Sequence, residues 1–449
     1  MAGLWFETAL LPHGWVTDVR IDIVDGLISS IWSGVGATPD DERHAVAVPG
    51  LPNLHSHAFQ RAMAGLAESA GRKGRDDFWS WRDAMYRLVS DLTPGDLEAI
   101  AAMAFVEMLE SGFTRVGEFH YLHHQPSGAP YADAAEMAGA IAAASADTGI
   151  ALTLLPVFYA HADFGGAPLN PGQRRFASDL DGYARLHERC GQIVGGLGQG
   201  VLGVAPHSLR AVTSGELVEL LALAPTGPVH IHVAEQNREV EACLAWSGQR
   251  PVAWLLDHMP VDARWCLVHA THSGATELAG MAAAGAVVGL CPMTEANLGD
   301  GLFPVGDFLR AGGRFGVGTD SNVRIDAAEE LRWLEYGQRL MHQRRNVLAR
   351  VDRSTGGTLF AAALAGGGQA LGAQSVGLAV GAPADIVALS ADDFGAADDR
   401  AIDRWLFARG GAAIAAVWRA GRLVVSQGHH VRREQVMGRY QDVVRRRCG

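Results

Sequence analysis

Between residues 49 and 320 the chain alternates eight times between a short apolar run and a segment of helical period. Few folds accept that pattern. Parallel strands need a crossover between them, and eight strand–helix units in succession argue for a (β/α)8 barrel. The runs read as strands are the one leading into His55, then 114–119, 151–158, 201–205, 229–233, 265–269, 287–291 and 314–318. One helix is marked at both ends: Thr93 can cap it, Pro94 suits its first turn, Asp96 completes a capping-box pattern and Gly112 stops it. Other helices are expected over 131–148, 176–190, 214–224 (opened by a Thr213…Glu216 box), 252–258, 275–284 and 308–312. A segment over 327–348 ends the barrel.

Both chain ends read differently. Residues 4–11, 15–23 and 27–32 form short strands, and the β pattern returns at 385–390, 413–419 and 422–426. Residues 1–48 and 377–449 are therefore expected to pair as one small β-sandwich domain beside a barrel of residues 49–376. The aromatic cluster Phe78-Trp79-Ser80-Trp81-Arg82 follows a long polar loop, and for Phe78 and Trp79 loop packing is expected. The tail Arg445-Arg446-Arg447 reads as a solvated end.

Composition removes several classes of function. The formal net charge of −12 argues against nucleic acid as a general partner. Five scattered cysteines, odd in number and never in CxxC, suit reduced thiols in a cytoplasm. The N-terminus lacks the basic start of a signal peptide, and no uncharged apolar run is long enough to span a bilayer. The single lysine, Lys73, lies in a polar loop outside every expected strand. Schiff-base chemistry and lysine-bridged metal pairs have no other candidate.

In such barrels chemistry sits at the C-terminal strand ends. Strand one ends in His55 and His57, two imidazoles on one face of a strand. Strand five offers His232, with Glu235 three residues on; strand six ends in His269 and strand eight in Asp320. Each residue alone has a structural explanation: His230 could equally be the inward histidine, His269 a satisfied core side chain, Asp320 a helix cap. Four strand ends of eight with ligand-type residues are poorly explained that way. Imidazoles and a carboxylate suit zinc with room for water.

This arrangement resembles the amidohydrolase superfamily, and the match extends to the flanking β domain and to Gly381-Ala382-Pro383-Ala384-Asp385-Ile386-Val387. Many members bridge two metals with a modified lysine at the end of strand four. Residues 201–207 contain none, so the resemblance implies one zinc per chain, as in the deaminase branch. It implies that His55, His57, His232 and Asp320 hold the ion, that His269 hydrogen-bonds the attacking water, and that Glu235 protonates the leaving nitrogen. Whether His269 or Glu235 first accepts the water's proton stays open.

Two arginines near a metal pocket suggest a substrate with two carboxylates, because the guanidinium fork matches carboxylate bidentately. The competing reading is surface ion pairing. Within the superfamily, His55-Ser56-His57-Ala58-Phe59-Gln60-Arg61, Phe78-Trp79-Ser80-Trp81-Arg82, Gly117-Glu118-Phe119-His120-Tyr121 and Ala205-Pro206-His207-Ser208-Leu209-Arg210 are similar to the formimidoylglutamate deiminases of histidine degradation. That resemblance implies a substrate pocket of Gln60, Arg82, Tyr121, His207 and Arg210, and a cytoplasmic homodimer. A purine or adenosyl deaminase, or a triazine-type hydrolase, is the alternative within the same chemistry; it would want a flat pocket and fewer arginines. A catalytically dead scaffold is disfavoured by the intact strand ends. His123 and His124 are expected to pack in a loop.

Overall fold

The computed structural model describes residues 3–68, 78–373, 375–390 and 398–448; Lys73 lies outside them. The eight barrel strands are Leu51–Ser56, Phe113–His120, Ala151–Phe158, Val201–Leu202 continued by Ala205–Pro206, Val229–Val233, Trp265–His269, Val287–Leu290 and Arg314–Val317. Successive strands pair in parallel. Strands one to four form one hydrogen-bonded sheet and strands five to eight another. Parallel bridges Val204↔Val229 and Ser208↔His232 join them on one side, and Ser56↔Asp320 on the other, so the ring closes. Most of these strands are buried throughout, as expected where helices cover the outside and side chains fill the inside.

The helix Pro94–Glu110 has the expected capping box, with Thr93 Oγ1 accepting from Asp96 N–H and the Asp96 carboxylate accepting from Thr93 N–H. Two expected helices begin later, at Glu136 and Leu180. The aromatic cluster is not a loop: Phe78–Val89 is helical, with Trp79, Arg82 and Tyr86 at i, i+3 and i+7 on one face.

The helix Thr355–Ala370, unread in the sequence, closes the barrel floor. A Cβ on Gly366 would lie 1.9 Å from Phe315 O, and one on Gly367 3.0 Å from Pro52 Cβ. Only glycine lets that helix approach the strands so closely. His230 points into this floor, donating from Nε2 to Ala370 O at 2.7 Å.

The two chain ends are hydrogen-bonded into one mixed sheet, in the order His429–His430, Arg422–Ser426, Ile414–Arg419, Ile386–Leu389, Glu42–Pro49, Leu4–Leu11, Gly14–Val24 and Leu27–Trp32. Phe6, Val19, Ile21, Ile28, Ala47, Ile386 and Trp418 give it a core of its own. The C-terminal basic run is exposed at Arg445 and Arg446, as expected of a solvated end, but it is also anchored. It lies on the helix Arg433–Cys448, and Arg446 and Arg447 reach back to the Asp96 carboxylate at 2.9 and 2.8 Å.

Candidate active site

Strand ends one, five, six and eight converge at the barrel mouth. His55 Nε2 lies 3.2 Å from His57 Nε2, 3.0 Å from His232 Nε2 and 3.3 Å from Asp320 Oδ1; His57 Nε2 lies 3.2 Å from Asp320 Oδ1. All four residues are buried. His57 donates from Nδ1 to Phe119 O, and His232 from Nδ1 to His207 O. Burial disfavours a second proton on His232 and pushes His55 down to about 3. The three Nε2 atoms and Asp320 Oδ1 thus lie close together as four candidate ligand atoms. Tetrahedral ligands about 2.05 Å from one zinc would be about 3.3 Å apart. The donor set fits one such cation.

The backbone is strained to make this geometry. Ala234 (φ 51°), His269 (φ 66°) and Asp320 (φ 42°), at the ends of strands five, six and eight, are left-handed although none is glycine. Buried side chains hold them there. Asn322 Nδ2 donates to His57 O, Asp320 O and Ser56 Oγ, each at 3.1 Å. Glu239 accepts from Ala234 N–H and Glu235 N–H.

Glu235 Oε1 and Asp320 Oδ2 each lie 3.8 Å from His269 Nε2. Burial pushes the Glu235 carboxyl up to about 7, against the pull of His269. Burial would lower His269, but Glu235, Glu295 and Asp320 outweigh it and raise the imidazole well above its usual value. Its Nδ1 is 3.2 Å from Glu295 Oε1. Burial would raise Asp320 too, but hydrogen bonds from His55 and His57 keep it well below the usual carboxylate range.

A cleft opens beside this cluster, lined by Gln60, Trp81, Arg82, Tyr86, Tyr121, Tyr159, Phe176, His207 and Arg210 together with Glu235, His269 and Asp320. The five residues expected from the sequence to bind substrate thus line one cleft. Gln60 Nε2 donates to Tyr121 Oη at 2.9 Å, while its Oε1 is buried without a partner. Burial and the neighbouring Arg210 keep His207 neutral. Arg82 Nε and Arg210 Nε are buried and unpartnered, and neither arginine pairs with a carboxylate among the described residues. The surface-ion-pair reading of these arginines does not hold. His123 and His124 donate to Val157 O and Ala177 O and pack among the loops.

Sequence reasoning missed the supporting residues. Glu239 stands four residues after Glu235 in the first turn of a helix, a spacing that could have suggested it. Glu295 and Asn322 had no such signal, since their partners are remote or backbone atoms.

The amidohydrolase family model matches residues 46–424. This chain belongs to the amidohydrolase family. Residues 2–45 of the amidohydrolase match a second model, the N-terminal domain of formimidoylglutamate deiminase HutF. The amidohydrolase is 50% identical over 441 residues, 97% of each chain, to the formimidoylglutamate deiminase of Pseudomonas aeruginosa. A crystal structure of an amidohydrolase from Brucella melitensis superimposes with a TM-score of 0.97 at 53% identity, covering 100% of both chains. An adenosine deaminase from Xanthomonas campestris with bound zinc shares the fold at a TM-score of 0.80 and 22% identity, covering 99% of this amidohydrolase and 98% of that chain.

Proposed function

We propose that this amidohydrolase hydrolyses N-formimidoyl-L-glutamate to N-formyl-L-glutamate and ammonia, a step of histidine degradation. The observation that carries the substrate is the pair of cleft arginines, Arg82 and Arg210, neither in a close ion pair with a carboxylate among the described residues, Glu235 and Glu239 acting on Arg210 only from further off. A glutamyl group brings two carboxylates. The close likeness to a formimidoylglutamate deiminase along nearly the whole chain supports the same reading.

His55, His57, His232 and Asp320 would hold one zinc ion per chain. When bound, zinc lowers the pKa of a coordinated water to about 7 and so supplies a nucleophile at neutral pH. The chain's own residues do the rest. Arg82 and Arg210 grip the carboxylates, and Gln60, Tyr121 and His207 line the path to the amidine. Glu235, with a carboxyl near 7, takes a proton and returns it to the leaving nitrogen. His269, oriented by Glu295, would hydrogen-bond the attacking water. Water adds to the amidine carbon, the C–N bond to the terminal nitrogen breaks, and ammonia leaves a formamide.

The reading extends to a cytoplasmic homodimer whose partner is a small dicarboxylate, with neither nucleic acid nor membrane involved. Among the described residues no helix is long and apolar enough to cross a membrane. The test is ammonia release from N-formimidoyl-L-glutamate, guanine, an adenosyl compound and a triazine. Turnover of the first alone is expected; turnover of a ring substrate and not the first overturns the reading.

A further inference from the structure

The Phe78–Val89 helix raises a question that the cleft does not answer. Trp79 does not line the cleft, yet two guanidiniums lie over its ring, Arg82 Cζ at 4.3 Å and Arg238 Cζ at 4.4 Å from the centroid. Arg82 Cζ is also 5.6 Å from the Tyr86 centroid. Arg238 sits in the first turn of the helix Asn237–Ser247, directly after the strand-five end that carries Glu235. A cation there opposes the helix dipole. Its placement conflicts with local preference, and such conflicts mark functional positions.

We propose that Trp79 is a positioning residue for substrate binding: its indole fixes the Arg82 guanidinium by stacking, with Arg238 as a second stacked cation that ties the helix to the end of strand five. The proposal rests on the dicarboxylate reading above. The physical reason is the geometry of the guanidinium. An ion pair would hold Arg82 by its N–H edge and use the donors that a substrate carboxylate needs. Stacking holds the same group by its face and leaves the in-plane donors free. Arg82 is placed as that arrangement requires: its Cζ lies over the Trp79 and Tyr86 rings, its buried Nε is unpartnered, and no carboxylate among the described residues forms a close ion pair with it. Trp79 therefore acts through Arg82 and touches neither substrate nor reacting atoms.

The test is steady-state kinetics on N-formimidoyl-L-glutamate with the zinc-loaded enzyme, beside thermal melting. Trp79→Leu, which keeps an apolar side chain but removes the π face, is expected to raise KM about tenfold with kcat within about twofold. Trp79→Phe is expected to restore KM to within about threefold of wild type, and Arg238→Gln to raise it about threefold. In an Arg82→Met background, Trp79→Leu should change KM no further, because the group it positions is gone. A packing role alone would lower the melting temperature of Trp79→Leu and leave KM unchanged. That result, or multiplicative effects in the double variant, overturns the proposal while the deiminase reading stands. A wild-type enzyme that ignores N-formimidoyl-L-glutamate overturns both.

Discussion

The two walls of the cleft are held by different physics. The histidine and aspartate cluster stands on strand ends, its rings pinned by main-chain carbonyls and its strained backbone pinned by Asn322. The proposed carboxylate wall is borne partly by a helix outside the barrel, where Arg82 Cζ lies over the Trp79 and Tyr86 rings. Strand ends in a closed ring fix a position to a fraction of an ångström, which a coordination sphere needs. A side chain on an added helix can vary more, and binding can be retuned there without disturbing the chemistry. The contrast separates kcat from KM, and substitutions can test that separation.

The largest effect is expected at the cluster. Asp320→Ala removes a proposed metal ligand and the acceptor facing His55 and His57, and should lower kcat by roughly 10^4-fold with metal content reduced. Ammonia release together with elemental analysis checks it; full activity without bound metal would show the cluster to be structural. Arg210→Met should cost roughly 2–5 kcal/mol in kcat/KM, the range for truncating one partner of a desolvated charge pair. An unchanged kcat/KM would remove Arg210 from the carboxylate wall. Asn322→Ala touches no reacting atom but leaves His57 O and Asp320 O without their shared donor. Metal affinity should fall roughly 10–100-fold, measured by competition with a chelator. If it does not, the strand ends hold their strained turns unaided.

Much of this was legible in the sequence, for a reason that also explains the rest. Barrel strands are buried on both faces, so they read as continuous apolar runs, and their C-terminal ends are where chemistry collects. His55, His57, His232, His269 and Asp320 could therefore be found by position alone. Trp79 could not, because the same letters suit a packed loop and a helix whose outer face stacks on guanidiniums; only the observed i, i+3 geometry with Arg82 decides. The helix Thr355–Ala370 hid behind its glycines, which lower helix propensity yet are what the close approach to Phe315 and Pro52 requires. Arg445 and Arg446 of the basic tail are solvated, as charge runs usually are, but the reach of Arg446 and Arg447 to Asp96, some 350 positions earlier, leaves no trace in the sequence.

That last contact yields the smallest predicted effect, on stability rather than catalysis. Asp96 completes the capping box of the Pro94–Glu110 helix and receives Arg446 and Arg447 from the C-terminal helix. Burial alone would raise its carboxyl, but hydrogen bonds from Arg447, Thr93 and Arg446 outweigh it and hold the group at about 2, below the ordinary 3.8. A carboxylate with a depressed folded pKa stabilises the native state fully above its unfolded pKa. That contribution is lost as pH falls from about 4 towards 2, because the unfolded chain binds the proton first. Asp96→Asn keeps part of the cap and loses the charge, so it should cost about 1 kcal/mol near neutral pH. The deficit against wild type should shrink on acidification through that window, as followed by denaturant unfolding. A deficit that stays constant from pH 6 to pH 3 would assign the effect to the lost cap geometry and leave the arginines no part in docking the C-terminal helix.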